Sequence, residues 1–243
     1  MFKRPKISEI FSYIGTKKVS MMILHDNPKD EFILNIALRS AINAAVQIRR
    51  HPVFSESVTL NKDDNPQIAS EKRQRKTSAI AFWKEKLEQH AWAYLETAVD
   101  YQYFINDVDK LKNEINAEYR DCFSGNGIRI GQCQKSLSVF LKWLWCWGKC
   151  TIEPPVCPID RRVLVFCYDN ELDKSVVEDK EWRKLIAKVN KAGGWGQLDD
   201  LNDYAELVKM TRIISSRHQE TVAYWELRVF NDNVLEDSSE LFG

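Results

Sequence analysis

Residues 132–147, QCQKSLSVFLKWLWCW, are apolar almost all round a helical wheel. A helix apolar on every face is stable only where other elements enclose it. The segment therefore predicts the central, buried helix of an all-α fold. No run in the chain reaches the roughly 18 apolar residues that a membrane span requires, so no membrane partner is expected. One lysine, Lys135, stands in the first turns of this apolar helix.

The flanks of that helix carry the candidate chemistry. Ahead of it lies a Gly-rich turn, Gly125-Asn126-Gly127-Ile128-Arg129-Ile130-Gly131. Behind it, the proline-braced loop Glu153-Pro154-Pro155-Val156-Cys157-Pro158 delivers Asp160 into an apolar segment. A lysine near a helix start is ordinarily a solvated side chain, and an aspartate before a helical run is ordinarily an N-cap. Joined through one buried helix, the two read as a catalytic pair held by a core. Lys142, seven positions after Lys135, shares roughly the same helix face and is a second candidate amine.

The composition fits helices. The chain of 243 residues holds eight Trp, eight Tyr and eleven Phe, but only nine Gly and seven Pro to interrupt it. Lys plus Arg and Asp plus Glu balance at 35 each, which argues against a protein coated with basic charge for bulk nucleic-acid binding. Local basic patches remain: Lys3-Arg4-Pro5-Lys6, Arg49-Arg50, Lys72 to Lys76, and Arg161-Arg162 beside Asp160. Ser8, Glu9 and later charges break any signal-peptide pattern, so a cytoplasmic protein with reduced cysteines is expected. Cys146, Cys150, Cys157 and Cys167 have no zinc-site spacing, and the four histidines are scattered. No metal site is expected.

Periodicity sets the organisation. A short helix is expected on Ile7, Ile10, Phe11 and Ile14. The next helix, residues 31–50, opens at Asn27-Pro28-Lys29-Asp30, ends at His51-Pro52 and carries Ile33, Ile36, Ala37, Ala41, Ala44 and Ala45 on one side. Residues 53–76 read as an exposed loop. Helices follow at 78–99, 105–119, 132–147, 159–168, 178–190 and 198–214, the fifth of these stopped by Gly193-Gly194. For 159–168 the β-branched run Val163-Leu164-Val165 favours a strand locally, but the helical context decides for helix. Ser216 with Gln219 resembles a capping box opening a last helix to about Phe230, and 231–243 reads as a frayed tail. The expectation is one all-α domain over 1–243, in two helical lobes with a cleft, and with 103–147 as a helix–hairpin–helix unit.

The Gly-rich hairpin, the helix with the early lysine in Gln134-Lys135-Ser136-Leu137-Ser138-Val139-Phe140, and the run Pro154-Pro155-Val156-Cys157-Pro158-Ile159-Asp160 together resemble the helix-hairpin-helix DNA glycosylase superfamily. They are most like its archaeal 8-oxoguanine glycosylase branch. About forty residues carry the likeness. The spacing from Lys135 to Asp160 (160 − 135 = 25 positions) is long, and Gly131 lies four residues ahead of the lysine. No four-cysteine cluster motif follows Asp160, so no iron–sulfur cofactor is implied.

The resemblance implies duplex DNA as partner, a flipped base, and cleavage of its N-glycosidic bond by a monomer without cofactor. Asp160 would be the catalytic carboxylate and Lys135 the Schiff-base amine giving AP-lyase activity. Gly125, Gly127, Arg129, Gly131, Gln134 and Arg161 would contact DNA, and Trp225, Trp143 and Gln132 would line the base pocket. Oxidised guanine is the implied substrate, with an unusual modified base, such as a phage-type modified cytosine, equally compatible. Two other readings stay open: a non-catalytic helix-hairpin-helix DNA-binding module in a repair or phage-defence complex, and an all-α interaction protein without a nucleic-acid role.

Overall fold

The computed structural model describes residues 28–46 and 52–239, the side chains of Pro28, Lys29, Glu96 and 231–239 excepted. The helix expected on residues 7–14 lies outside them. The described chain is all-α, with a single isolated bridge between Phe54 and Phe123 and no strand among the described residues. No helix among the described residues is long and apolar enough to cross a membrane.

Helix α1, Pro28–Val46, opens with proline and carries Asp30 and Glu31 in its first turn, where carboxylates complement the helix dipole. Its buried stripe is Ile33, Leu34, Ala37, Leu38, Ala41, Ile42 and Ala45. Ile36 and Ala44, expected on that stripe, sit at its edge, half-buried. The methyl side chains of Ala37, Ala41 and Ala45 let this helix lie close along the central one.

Helix α2, Pro66–Glu96, starts twelve residues before the expected 78, capped by Asn65, whose side chain accepts the Ile68 N–H at 2.9 Å. The expected exposed loop is thus corrected in two ways. Its second half is helix. Its first half is docked: Val53 and Val58 are buried, Ser124 N–H donates to Val53 O at 2.9 Å, and Phe54 stacks on Phe123 with centroids 5.6 Å apart. Val53 and Val58 supply the apolar anchors and the bridge fixes the rest.

Helix α3, Tyr101–Tyr119, is capped by Asp100. A connection with a 3₁₀ turn at Arg120–Cys122 leads to α4, Ile130–Cys146, the expected central helix. Twelve of its seventeen residues are buried, and α1, α2, α3 and the turn Trp195–Gln197 all touch it. Its helical register includes Ile130 and Gly131, which were expected in the hairpin. Trp83 Nε1 on α2 donates to Ser136 Oγ on α4 at 3.1 Å, pairing two buried polar groups across helices, whereas Ser138 Oγ on α4 is buried without a partner.

Helix α5, Arg161–Phe166, continues as a π-helical turn, Cys167–Glu171. Arg183 holds that turn by donating to the carbonyls of Tyr168 and Leu172. Helix α6, Val177–Lys191, ends where Gly193 and Gly194 take positive φ. Helix α7, Leu201–Arg217, runs through the expected capping box at Ser216. Gln219 turns the chain with φ 58°, and α8 spans Val222–Ser239, so the expected frayed tail is helical to 239. One contiguous apolar cluster extends from Leu34 to Val229.

One polar cluster sits inside this core, between α2 and α3. His90 Nδ1 meets Asp107 Oδ1 at 2.6 Å, and its Nε2 meets Glu114 Oε2 at 3.2 Å. Tyr94 O–H donates to Asp107 Oδ2 at 3.1 Å. Carboxylate oxygens accept and do not donate, so both ring nitrogens donate and the ring is the cationic imidazolium. Burial pushes the His90 value down, but the bond and charge of Asp107, then those of Glu114, outweigh it and hold it above 6.5.

Candidate functional site

Lys135 and Asp160, 25 positions apart, meet across α4 and α5: Lys135 Nζ lies 2.5 Å from Asp160 Oδ2. Asp160 is the N-cap of α5, its Oδ1 accepting the Val163 N–H at 3.1 Å. Burial raises its carboxyl, yet the charge and hydrogen bond of Lys135, with the amides of Val163 and Arg162, hold it below 3.8. The side chains of Lys135 and Asp160 remain 11% and 18% exposed, so the pair keeps an edge open to a ligand.

Gln134 sets this register. It is fully buried, and its amide brackets the Ile159 peptide, donating from Nε2 to Ile159 O at 2.7 Å and accepting the Ile159 N–H at 3.1 Å. Residues 134 and 135 of α4 thus face 159 and 160 in order. Gln134, expected at DNA, instead positions the loop that carries Asp160. Gln132 is also buried: it accepts the Arg129 N–H at 2.8 Å and donates to Gly196 O at 2.9 Å, and it lines a hollow whose walls include neither Lys135 nor Asp160.

Gly131 differs from its expected place as well. A Cβ there would lie 2.0 Å from Trp195 O, a backbone atom that cannot give way. Its N–H donates to Leu198 O at 2.8 Å, and Ile130 N–H points at Asp199 Oδ1 at 3.4 Å. The first amides of α4 are thus occupied by the turn after α6. Gly127, at φ 109°, packs where a Cβ would stand 2.2 Å from Asn116 Oδ1, and Asn116 clamps Ile128 N–H at 2.8 Å and Ile128 O at 2.9 Å.

Gly125 is exposed at φ 72°, with the Arg129 guanidinium folded towards it. Arg129, half-buried, lines that hollow of about 140 Å³ together with Gln132, Ser124, Gly127, Ile128 and Gln197. Arg161 and Arg162 are exposed in the first turn of α5, where cations oppose the helix dipole. Neither has a carboxylate partner among the described residues; Arg162 lies over Phe230, 4.9 Å from the ring centroid.

Trp225 is fully buried against Phe166, with ring centroids 6.2 Å apart, and its Nε1 has no hydrogen-bond partner. As placed here it is core, not an open pocket wall. Trp143 is half-buried and pairs with exposed Trp147 at 5.8 Å, away from Lys135. Lys142, the second candidate amine, is paired with buried Glu226 of α8. The aromatic ring near the lysine is one the sequence reading missed: Lys135 Nζ lies over Trp195 at 6.0 Å from its centroid. The tract Gly193-Gly194-Trp195-Gly196 was its signal, read only as a helix stop.

All six cysteines are free thiols, and burial raises those of Cys133, Cys157 and Cys167. No cluster of three or more His, Cys, Asp or Glu suited to a metal occurs among the described residues. Compared with known proteins, the chain matches no family, no curated protein and no solved structure.

Proposed function

We propose that this chain is a DNA glycosylase with AP-lyase capacity, acting through Asp160 and Lys135. The observation that carries the reading is the 2.5 Å pair of Lys135 Nζ and Asp160 Oδ2, partly open to solvent at the start of a helix. The likeness of residues 124–164 to helix-hairpin-helix glycosylases adds to it.

The chemistry follows from the two groups. Breaking an N-glycosidic bond leaves positive charge on the sugar. A carboxylate held ionised stabilises that charge, and one depressed below its ordinary range suits this role better than that of a strong base. The departing base takes the bonding pair from C1′ and a proton from the Lys135 ammonium. The neutral amine then bonds to C1′, loses a second proton as the ring opens, and leaves an iminium. Loss of a C2′ proton expels the 3′ phosphate. Arg129 and the unpaired Arg161 and Arg162 supply positive charge for the DNA backbone. The substrate is an oxidised guanine or another modified base.

A second reading, a DNA-binding module without catalysis, draws on one observation: both Asp160 oxygens already have structural partners, Lys135 and the Val163 amide. Borohydride trapping separates the two. The panel is oligonucleotides with 8-oxoguanine, uracil, an abasic site, and hydroxymethylated or glucosylated cytosine. A covalent adduct that Lys135→Gln abolishes supports the glycosylase/lyase. Base release without an adduct, abolished by Asp160→Asn, supports a monofunctional enzyme. DNA binding with no base release and no adduct sinks the enzyme reading in favour of the module.

A further inference from the structure

Trp195 is held with unusual firmness for a residue in a glycine-rich turn. Its carbonyl packs against the bare Cα of Gly131, which a Cβ would approach to 2.0 Å. Leu198 O receives the Gly131 N–H at 2.8 Å, and Gly196 O receives Gln132 Nε2 at 2.9 Å. The first turn of α4 thus grips residues 195–198 through their backbone. Lys135 projects from the next turn of the same helix, so ring and amine are referred to one rigid element.

The backbone does the docking, and the indole ring is left half-buried beside the lysine. The other tryptophans are placed for different work. Trp83, Trp145, Trp182 and Trp225 are buried. Trp92 and Trp147 are exposed, and Trp143 pairs with Trp147. Trp195 alone of the eight is within cation–π reach of Lys135.

We propose that Trp195 is the platform on which the nucleobase at the Lys135–Asp160 site stacks, an inference that rests on the glycosylase reading. Every nucleobase has a π-face, and stacking on an aromatic ring tolerates changes at the base edge. An extruded base is held between aromatic and apolar walls. A base stacked on the indole at van der Waals distance, about 3.5 Å, is brought next to the amine, whose Nζ lies 6.0 Å from the ring centroid. Such a platform accepts bases altered at their edges and leaves discrimination among them to other residues.

The test is equilibrium binding of the full chain to two duplexes. One carries mismatched 2-aminopurine at the target position, the other a tetrahydrofuran abasic analogue there. Trp195→Leu is expected to weaken binding to the 2-aminopurine duplex by roughly 5- to 150-fold. It is expected to leave the abasic duplex within about twofold, since a missing base has nothing to stack, and Trp195→Phe is expected to keep most of the affinity. Equal loss on both duplexes, or no loss on the 2-aminopurine duplex, overturns the platform while leaving the glycosylase reading standing. A wild-type chain that binds neither duplex sinks both.

Discussion

The His90 cluster and the Lys135–Asp160 pair are made of similar parts. Each joins a cation to a carboxylate across two helices, and each carboxylate oxygen in Asp107 and Asp160 has one partner. They differ in what surrounds them. Around His90 the cation is met by two carboxylates, and both His90 and Asp107 are 7% exposed. Around Asp160 the balance reverses: Lys135 alone pairs with the one carboxylate, Arg161 and Arg162 stand exposed next to it in sequence without a carboxylate partner among the described residues, and the pair keeps a solvent-accessible edge beside an indole ring. A polar group that saturates itself inside a core specifies packing. One left with excess charge and an open edge is prepared for something from outside.

Exchanging the roles of the two sites breaks the comparison. Asp160→Asn is expected to lower base release by roughly 10²- to 10⁴-fold. The chain should still fold, because asparagine caps a helix about as well as aspartate, with its melting temperature lowered only by the lost ion pair with Lys135. Asp107→Ala should do the opposite. It strands a buried imidazolium and is expected to cost about 3–5 kcal/mol in urea unfolding, with adduct formation per folded molecule unchanged. If Asp107→Ala stopped chemistry in the folded fraction, or Asp160→Asn unfolded the chain, the contrast would fail.

Gln134→Ala sharpens the boundary between them. It leaves the Ile159 N–H and carbonyl without partners and should destabilise the chain by about 1–3 kcal/mol. It should also slow adduct formation more than it weakens DNA binding, because Asp160 loses its register with Lys135. Equal effects on both would reduce Gln134 to a packing residue. The smallest effect concerns pH. His90 is held above 6.5 in the fold, so its contribution is complete below pH 6.5 and is lost as pH rises through the raised value. Stability is therefore expected to decline across that window in the wild type and to flatten in His90→Gln, measured by urea midpoints. An identical slope in the variant removes His90 as the cause.

Much of the architecture was legible because it follows from periodicity. The 132–147 segment had to be enclosed over most of its surface, and it is, up to the exposed Trp147. Arg161 to Glu171 is helical and then π-helical despite its β-branched run, because Asp160 caps it and helices surround it. The meeting of Lys135 with Asp160 was legible from a helix and a proline-braced loop that returns along it. What was not legible depends on distant partners. Val53 and Val58 read as polar-loop residues until Phe123 supplies a surface for their segment. Trp225 on a C-terminal helix gave no sign that Phe166 would enclose it. Gln132 and Gln134 look like surface amides in sequence, and only the backbones they bracket make them buried.

Gly131 carries a consequence for tracing this site among other chains. A lysine and an aspartate at these positions could each be kept for ordinary reasons, one for an ion pair and one as a helix cap, so their presence alone would be weak ancestry information. Neither reason applies to the glycine. A single methyl group at this position would collide with the Trp195 carbonyl and unseat the turn that brings an indole to the amine. The diagnostic signature is therefore the absence of an atom: a descendant keeping Lys and Asp but gaining alanine here would have kept the ion pair and given up the arrangement around it.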